Sequence, residues 1–263
     1  VDAVVLILDE LPPDPKTGME TQVWKLAKQL SELSREWRDG WPDFGLIVLP
    51  LPGWDNRSNP PDLPGRVLEK REALKAFSSA ETAALVHKLF SGAQGWTYET
   101  GATERLFFLS GGIPNLVQKL GYEACQKCID VNPKAQPYHL EAGHVDAVVH
   151  NEQLRVNVHG TLTDWGLKHT LLERVTETRR MYLKGVLEAL SSLSEAVVSD
   201  GLPEREWRSK VTARNSTRQF GETLNEVWQQ LKCDEILIAR SGSERYSFCA
   251  EVIRMHLGTL FDQ

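Results

Sequence analysis

The sequence is poor in cysteine, has no long apolar run and carries no excess of positive charge. Four cysteines stand among 263 residues, and beyond the Cys125–Cys128 spacing, Cys233 and Cys249 form no second matching pair. That excludes a disulfide framework and does not supply the four ligands of a structural zinc site. A reducing cytoplasm is the expected location. No apolar stretch approaches the ~18–20 residues of a membrane span and no secretory signal opens the sequence, so no membrane partner is expected. Thirty basic side chains face 36 acidic ones, a net charge of −6. This argues against a surface given over as a whole to nucleic acid, although a local basic face remains compatible with it. No GxSxG elbow or Ser-His-Asp order is present. His139 and His144 are five apart, not the i, i+4 that sets two ligands on one helix face, so they read as structural or solvated. The eight tryptophans are scattered and read as core or interface residues, not as a stacking platform.

What is present is an ordinary globular composition, 41% hydrophobic and 25% charged, in a chain long enough for two or three compact units. Val4-Val5-Leu6-Ile7-Leu8 reads as a strand buried on both faces, as in a parallel sheet, and it runs directly into Asp9-Glu10. Leu11-Pro12-Pro13 then breaks it. In open α/β sheets ligands sit at the carboxyl ends of strands, and an acidic pair there is placed to hold Mg²⁺ and orient a water. A strand ending in a solvated acidic turn has the same pattern. Val23, Leu26, Ala27, Leu30, Leu33 and Trp37 recur at helical spacing, with Gly40 and Pro42 as the stop. A second buried strand follows over Phe44–Leu49, completing a parallel crossover unit. Five prolines lie between Pro50 and Pro64, an irregular loop flanked by Arg57 and Arg66. No GxxxxGK[ST] phosphate loop occurs anywhere in the sequence. Two strands do not make a stable parallel sheet, so these residues are expected to be the later part of a longer protein.

The middle third is helical in pattern. Ser78-Ser79-Ala80-Glu81 is a capping box opening a helix with Ala84, Leu85, Leu89 and Phe90 on one face. Thr100 or Gly101 begins the next, with Gly111 as its C′ residue. Pro114 then suits the first turn of a helix over Asn115–Ala124, whose free N–H groups can face a phosphate or a base. A further helix is expected from Leu140 to Asn151, and residues 154–166, without clear period, read as a linker. The last third begins with a long helix over about Leu167–Leu193. Gly201-Leu202-Pro203 opens a short one, and Ser216 or Thr217 caps another carrying Phe220, Leu224, Val227, Trp228 and Leu231. Glu235–Arg240 and Glu244–Phe248 flank Ser241-Gly242-Ser243 as a hairpin, with Tyr246 and Phe248 on one face and Phe248 buried. A final helix holds Val252, Ile253, Met255, Leu257 and Leu260. Helix, helix, helix, hairpin is the winged form of the helix-turn-helix, with Arg214, Arg218 and Gln219 as candidate DNA contacts. Between residues 201 and 240 seven basic and six acidic side chains leave no strong electrostatic footprint.

The order of these features resembles the AAA+ and STAND branch of P-loop ATPases. The match rests on the strand ending in Asp9-Glu10, the strand over Phe44–Leu49, and Ser110-Gly111-Gly112-Ile113-Pro114-Asn115-Leu116, which looks like that family's Gly-x-Pro segment at a helix start. It covers residues 1–153 and the shape of the C-terminal third. The resemblance implies a fold that is mainly α with a small α/β part: a remnant of a parallel P-loop sheet (1–68), a helical lid (69–153), a linker (154–166) and a winged helix (167–263). It implies ATP and Mg²⁺ as cofactors, Asp9 at the metal, Glu10 as the catalytic base for water, and Gly112, Pro114 and Asn115 beside the adenine, facing the sheet's carboxyl edge. The implied function is a nucleotide-dependent conformational switch with a protein partner or self-assembly, an ATPase when an upstream phosphate loop completes it and inactive as this chain alone. Pro50-Leu51 stands where the family often has a polar γ-phosphate sensor, and no arginine accompanies Gly112-Ile113-Pro114. These departures favour the STAND side and keep two alternatives in view: a winged-helix DNA-binding regulator or initiator, and a non-hydrolysing scaffold with a degenerate nucleotide fold.

Overall fold

The structure is a computed structural model that describes residues 3–11, 29, 43–50, 76–164, 176–195, 201–240 and 244–260. The chain divides into two compact units, Val1–Leu74 and Lys75–Gln263, each described by itself. In the first, β1 (Ala3–Leu11) and β2 (Asp43–Pro50) pair in parallel, as two runs of Val, Ile and Leu led to expect. The helix read between them, the proline-rich loop, Arg57 and Arg66 lie outside the described residues.

The second unit is mainly helical, so the chain as a whole is mainly α with a small α/β part. Its helices begin and end where local chemistry directs. The α1 helix (Ser79–Ser91) starts on a complete capping box, in which the Ser78 hydroxyl accepts the Glu81 N–H at 3.2 Å and the Glu81 carboxylate accepts the Ser78 N–H at 2.8 Å. The α2 helix (Thr100–Ser110) ends on Gly111, whose left-handed φ of 60° lets its N–H return to Phe107 O. Pro114 is the first residue of α3 (Pro114–Val131). Two three-residue strands not anticipated from the sequence, β3 (Trp96–Tyr98) and β4 (Tyr138–Leu140), pair in parallel across the α2–α3 hairpin. Leu140 is therefore a strand residue, and the helix expected from it, α4, runs only over Ala142–Val148.

Of residues 154–166, read as a linker, those up to Asp164 are helical, and residues 165 and 166 lie outside the described residues. The helix is α5 (Glu152–Asp164), with Leu154, Val158 and Leu162 fully buried. The helical spacing of those three was present, but Asn157, His159 and Gly160 diluted it below a visible stripe. The long helix expected from Leu167 is described as α6 (Glu177–Ser191), capped by Thr176. After β5 (Leu202–Pro203) come α7 (Glu204–Thr212), α8 (Arg218–Cys233) capped by Thr217, and the hairpin β6 (Leu237–Ala239) and β7 (Arg245–Phe248). The three strands form an antiparallel sheet in the order β5-β7-β6. The chain closes with α9 (Glu251–His256) and a 3₁₀ turn over Leu257–Thr259.

Trp207 and Trp228 are fully buried, 5.8 Å apart between ring centroids, and the Trp207 indole N–H donates to Tyr246 O. Phe248 meets Trp207 edge-on at 5.5 Å, but it is half-buried, where the alternation pattern led to expect enclosure. A sheet with strands of two, three and four residues is too narrow to cover the ring on every side. Phe248→Ala is accordingly expected to cost about 1–3 kcal/mol, below the ~3–5 kcal/mol of a fully enclosed phenylalanine. A urea titration followed by tryptophan fluorescence measures it, and an unchanged midpoint would refute the packing described.

The α9 helix is buried among earlier elements. Val252 and Ile253 are fully enclosed, and Arg254, also buried, donates to Glu251 at 2.9 Å and to the last carbonyls of α6, Leu190 O at 2.8 Å and Ser191 O at 2.6 Å. The guanidinium thus serves as the C-cap of another helix, and both buried charges are satisfied. His256 is buried with Nε2 donating to Val149 O at 2.8 Å. Burial, the dominant effect, holds its imidazole below the usual histidine range. The unfolded chain therefore binds a proton there that the folded chain refuses. The stabilisation is full above the unfolded value near ~6.5 and is lost as pH falls from there through the folded value. The urea midpoint should drop between pH 7.5 and 5.5, and His256→Gln should lessen that drop. An equal pH response in the two proteins would assign it elsewhere.

Candidate functional site

The acidic pair sits where the strand ladder breaks. Pairing runs in step from Ala3 opposite Asp43 to Asp9 opposite Leu49, then resumes one residue out of step with Leu11 opposite Pro50. Glu10 is the extra residue of this irregularity, and its backbone has no counterpart on β2. Both strands run the same way, so Asp9, Glu10, Leu49 and Pro50 share the carboxyl edge of the pair. Bulges of this kind re-aim a residue at the end of a strand and recur beside active sites. Two adjacent carboxylates are hard oxygen donors of the type Mg²⁺ accepts, so the donor set fits that ion. The phosphates of a nucleotide have no cradle in these 263 residues, since the glycine-rich loop with its lysine is missing.

The second group, Gly111-Gly112-Ile113-Pro114-Asn115, belongs to the second unit. Gly112 has φ 73° and is buried; its N–H donates to Ser110 Oγ at 3.1 Å, and its carbonyl accepts the Phe77 N–H at 2.8 Å. A Cβ built on Gly112 would lie 1.9 Å from Phe77 O, and one on Gly111 would lie 1.6 Å from Cys249 O. Both glycines are therefore demanded twice over, by φ and by two backbones that pass at contact distance. Gly112 is closed over by protein. Pro114 and Asn115 are exposed at the start of α3, where Ile113 at the N-cap offers no side-chain acceptor. The structure gives Gly112 a packing role against Phe77.

Arg214, Arg218 and Gln219 are exposed before and on the first turn of α8, where the Thr217 hydroxyl accepts the Phe220 N–H. Their charge is partly answered locally, because Arg218 pairs with Glu222 at 2.8 Å and Glu226 further along pairs with Arg179. On the hairpin, Arg245 donates to Gly201 O at 2.9 Å. The CxxC cysteines lie mid-helix in α3. Burial pushes the Cys125 thiol up to about 11, with Cys128 adding to the effect, and Cys128 donates to His139 O. Cys125 is therefore not a reactive thiolate at neutral pH. His139 bonds Thr97 Oγ1 at 2.8 Å across the β3–β4 joint, and His144 Nδ1 accepts the Glu141 N–H at 3.1 Å in the capping box of α4. Among the described residues no group of three or more His, Cys, Asp and Glu side chains is placed to hold a metal, and no helix is long and apolar enough to cross a membrane.

No family model matches the sequence, and no curated protein does. Solved structures do. RuvB of Thermotoga maritima, described as a Holliday junction branch migration motor, aligns with 93% of this chain and 66% of its own at 16% identity, with a TM-score of 0.39. A single-residue variant of the same protein reaches 0.42. The DNA clamp loader delta protein of Bacillus subtilis aligns with 100% of this chain and 78% of its own at 11% identity and a TM-score of 0.27. This chain spans just under two thirds of the RuvB chains it matches. At these identities and scores the likeness says nothing about activity or partner.

Two features of the site had no clear mark in the sequence. Phe77 and Cys249 meet the Gly111–Gly112 turn with their backbones, which no side-chain pattern announces. Arg254 carried one visible sign, a lone charge inside the apolar run Val252–Leu257.

Proposed function

We propose that these residues form the end of the nucleotide core, the helical lid and the winged helix of an AAA+/STAND-like ATPase that works as a nucleotide-dependent conformational switch. The observation that carries this reading is the ladder break at Glu10, with the carboxylates Asp9 and Glu10 together at the carboxyl edge of a parallel pair. Asp9 would hold Mg²⁺, which when bound neutralises phosphate charge, and Glu10 would orient water and hold its proton. Pro114 and Asn115, exposed at the start of α3, are the residues of the lid segment available to the base. The sequence carries no GxxxxGK[ST] loop to hold the phosphates, so the chain alone is expected neither to bind ATP tightly nor to hydrolyse it.

The test is Mg·ATP affinity in the full-length protein, with and without Asp9→Asn. Tight binding in the parent and a loss of the Mg²⁺-dependent part in the variant are expected, since a carboxamide is a weaker ligand for a hard cation. Absence of binding in the full-length protein would end the nucleotide reading. Binding without hydrolysis under any assembly condition would favour the scaffold.

The DNA-binding alternative has one observation in its favour: Arg214, Arg218 and Gln219 are all exposed at the start of the helix that a winged helix inserts into a groove. A salt-dependent mobility shift of duplex DNA by the full-length protein, lost on Arg214→Ala with Arg218→Ala, would move the assignment there.

A further inference from the structure

The helices before residue 165 and the helices and hairpin after residue 175 are joined by contacts of three independent kinds. The first is apolar: α9 contributes Val252 and Ile253, both fully buried, to the same core as Leu106 and Leu109 of α2 and Leu154 and Val158 of α5. The second is polar and buried: His256 donates to Val149 O at 2.8 Å, and His159 meets Thr259 Oγ1 at 3.0 Å, the two rings edge-on at 6.4 Å. The third is backbone against backbone at Gly111 and Cys249, where even a methyl group has no room. Outside these, Arg105 of α2 holds Glu195, beyond the end of α6, by two hydrogen bonds of 2.5 and 2.8 Å.

From this geometry we infer that the lid and the hairpin module are one cooperative body that stays closed through the nucleotide cycle. A nucleotide-driven change of shape is taken up outside it, not by parting the two. The inference rests on the switch reading for its functional sense, but the closure itself does not. The chain order enforces it: α9 follows the hairpin in sequence yet supplies core to α2 and α5, so separating the halves means pulling an enclosed helix out of its core. A buried histidine and the Gly111 contact would both be exposed in that step. A surface that opens and closes reversibly is drawn from weakly packed regions, and this seam is the reverse.

Native-state hydrogen exchange on the full-length protein tests it in two arms. In the first, slow amides of α2 (Leu106, Leu109) and α8 (Val227, Leu231) are followed in rising urea without nucleotide. They are expected to converge on one opening reaction with one urea dependence, within about threefold in rate. Convergence on two reactions, about tenfold or more apart at the same urea, would overturn the inference. In the second arm, peptides covering 142–164 and 249–260 are compared with and without Mg·ATP. Unchanged protection in both is expected once binding is saturated; deprotection of either in one state would overturn it. If ATP does not bind, the switch reading fails while the first arm still decides whether the body is one.

Discussion

Glu10→Gln is expected to lower single-turnover ATP hydrolysis in the full-length protein by ~10²–10⁴-fold while leaving Mg·ATP affinity nearly intact, the usual contribution of a positioned general base. The amide keeps the size of the side chain and can still hydrogen-bond a water. It cannot take the proton that the water loses as its oxygen bonds to the γ-phosphorus. A loss in turnover without a loss in binding is the signature of an interaction made in the transition state alone. The ladder break is what sets Glu10 apart from Asp9: it falls between the Asp9–Leu49 and Leu11–Pro50 pairs and has no partner on β2. Equal turnover by parent and variant would strip Glu10 of the role, and the acidic pair would then be a solvated strand end.

Gly112→Ala should be among the most damaging single substitutions in the second unit. The added methyl would stand 1.9 Å from Phe77 O, and the alanine would be held at φ 73°. Left-handed backbone costs a non-glycine residue about 1–2 kcal/mol by itself. The steric conflict is with a backbone carbonyl rather than a flexible side chain, so the Phe77–Gly112 hydrogen bond has to be given up as well. The sum is about 3–5 kcal/mol. For a body of this size that lowers the melting temperature by roughly 10 °C. Gly111→Ala, with Cys249 O at 1.6 Å, should behave alike. Gly121→Ala is the contrast: it lies inside α3 with nothing within 4 Å of the new methyl, and it should stabilise by about 0.5–1 kcal/mol. Thermal melts of the three variants beside the parent check the set. A Gly112→Ala protein that melts with the parent would show that Phe77 does not pass where the structure puts it.

The Gly111–Gly112 turn ties the start of α3 to two other segments of the second unit. Pro114 and Asn115 are exposed on α3, two and three residues after Gly112, which has no slack against Phe77, while its neighbour Gly111 is equally tight against Cys249. Displacing the start of α3 therefore displaces the segment leading into α1 and the turn before α9. A rigid joint passes such motion on, where a loose one would absorb it.

Local chemistry was legible without the fold. The Ser78–Glu81 capping box, Gly111 at the end of α2, Pro114 at the start of α3 and Thr217 at the start of α8 all act through backbone groups within four residues, so each carries its whole cause in its own neighbourhood. The parallel pairing of β1 with β2 was likewise readable, because two near-continuous runs of Val, Ile and Leu are the pattern of parallel strands. The tertiary structure alone decided the rest. Strands β3 and β4 are three residues each and exist because each has the other, 40 residues away in the chain, which no local propensity encodes. Leu154, Val158 and Leu162 make α5 a core helix because α3 and the returning α9 both pack on it. Gly112 is fixed in a packing joint whose reason lies in Phe77, 35 positions earlier. Arg254 is tolerated in the core because α6 ends with free carbonyls beside it. In each of these the determining partner is remote in sequence, and distance along the chain is what a linear pattern cannot measure.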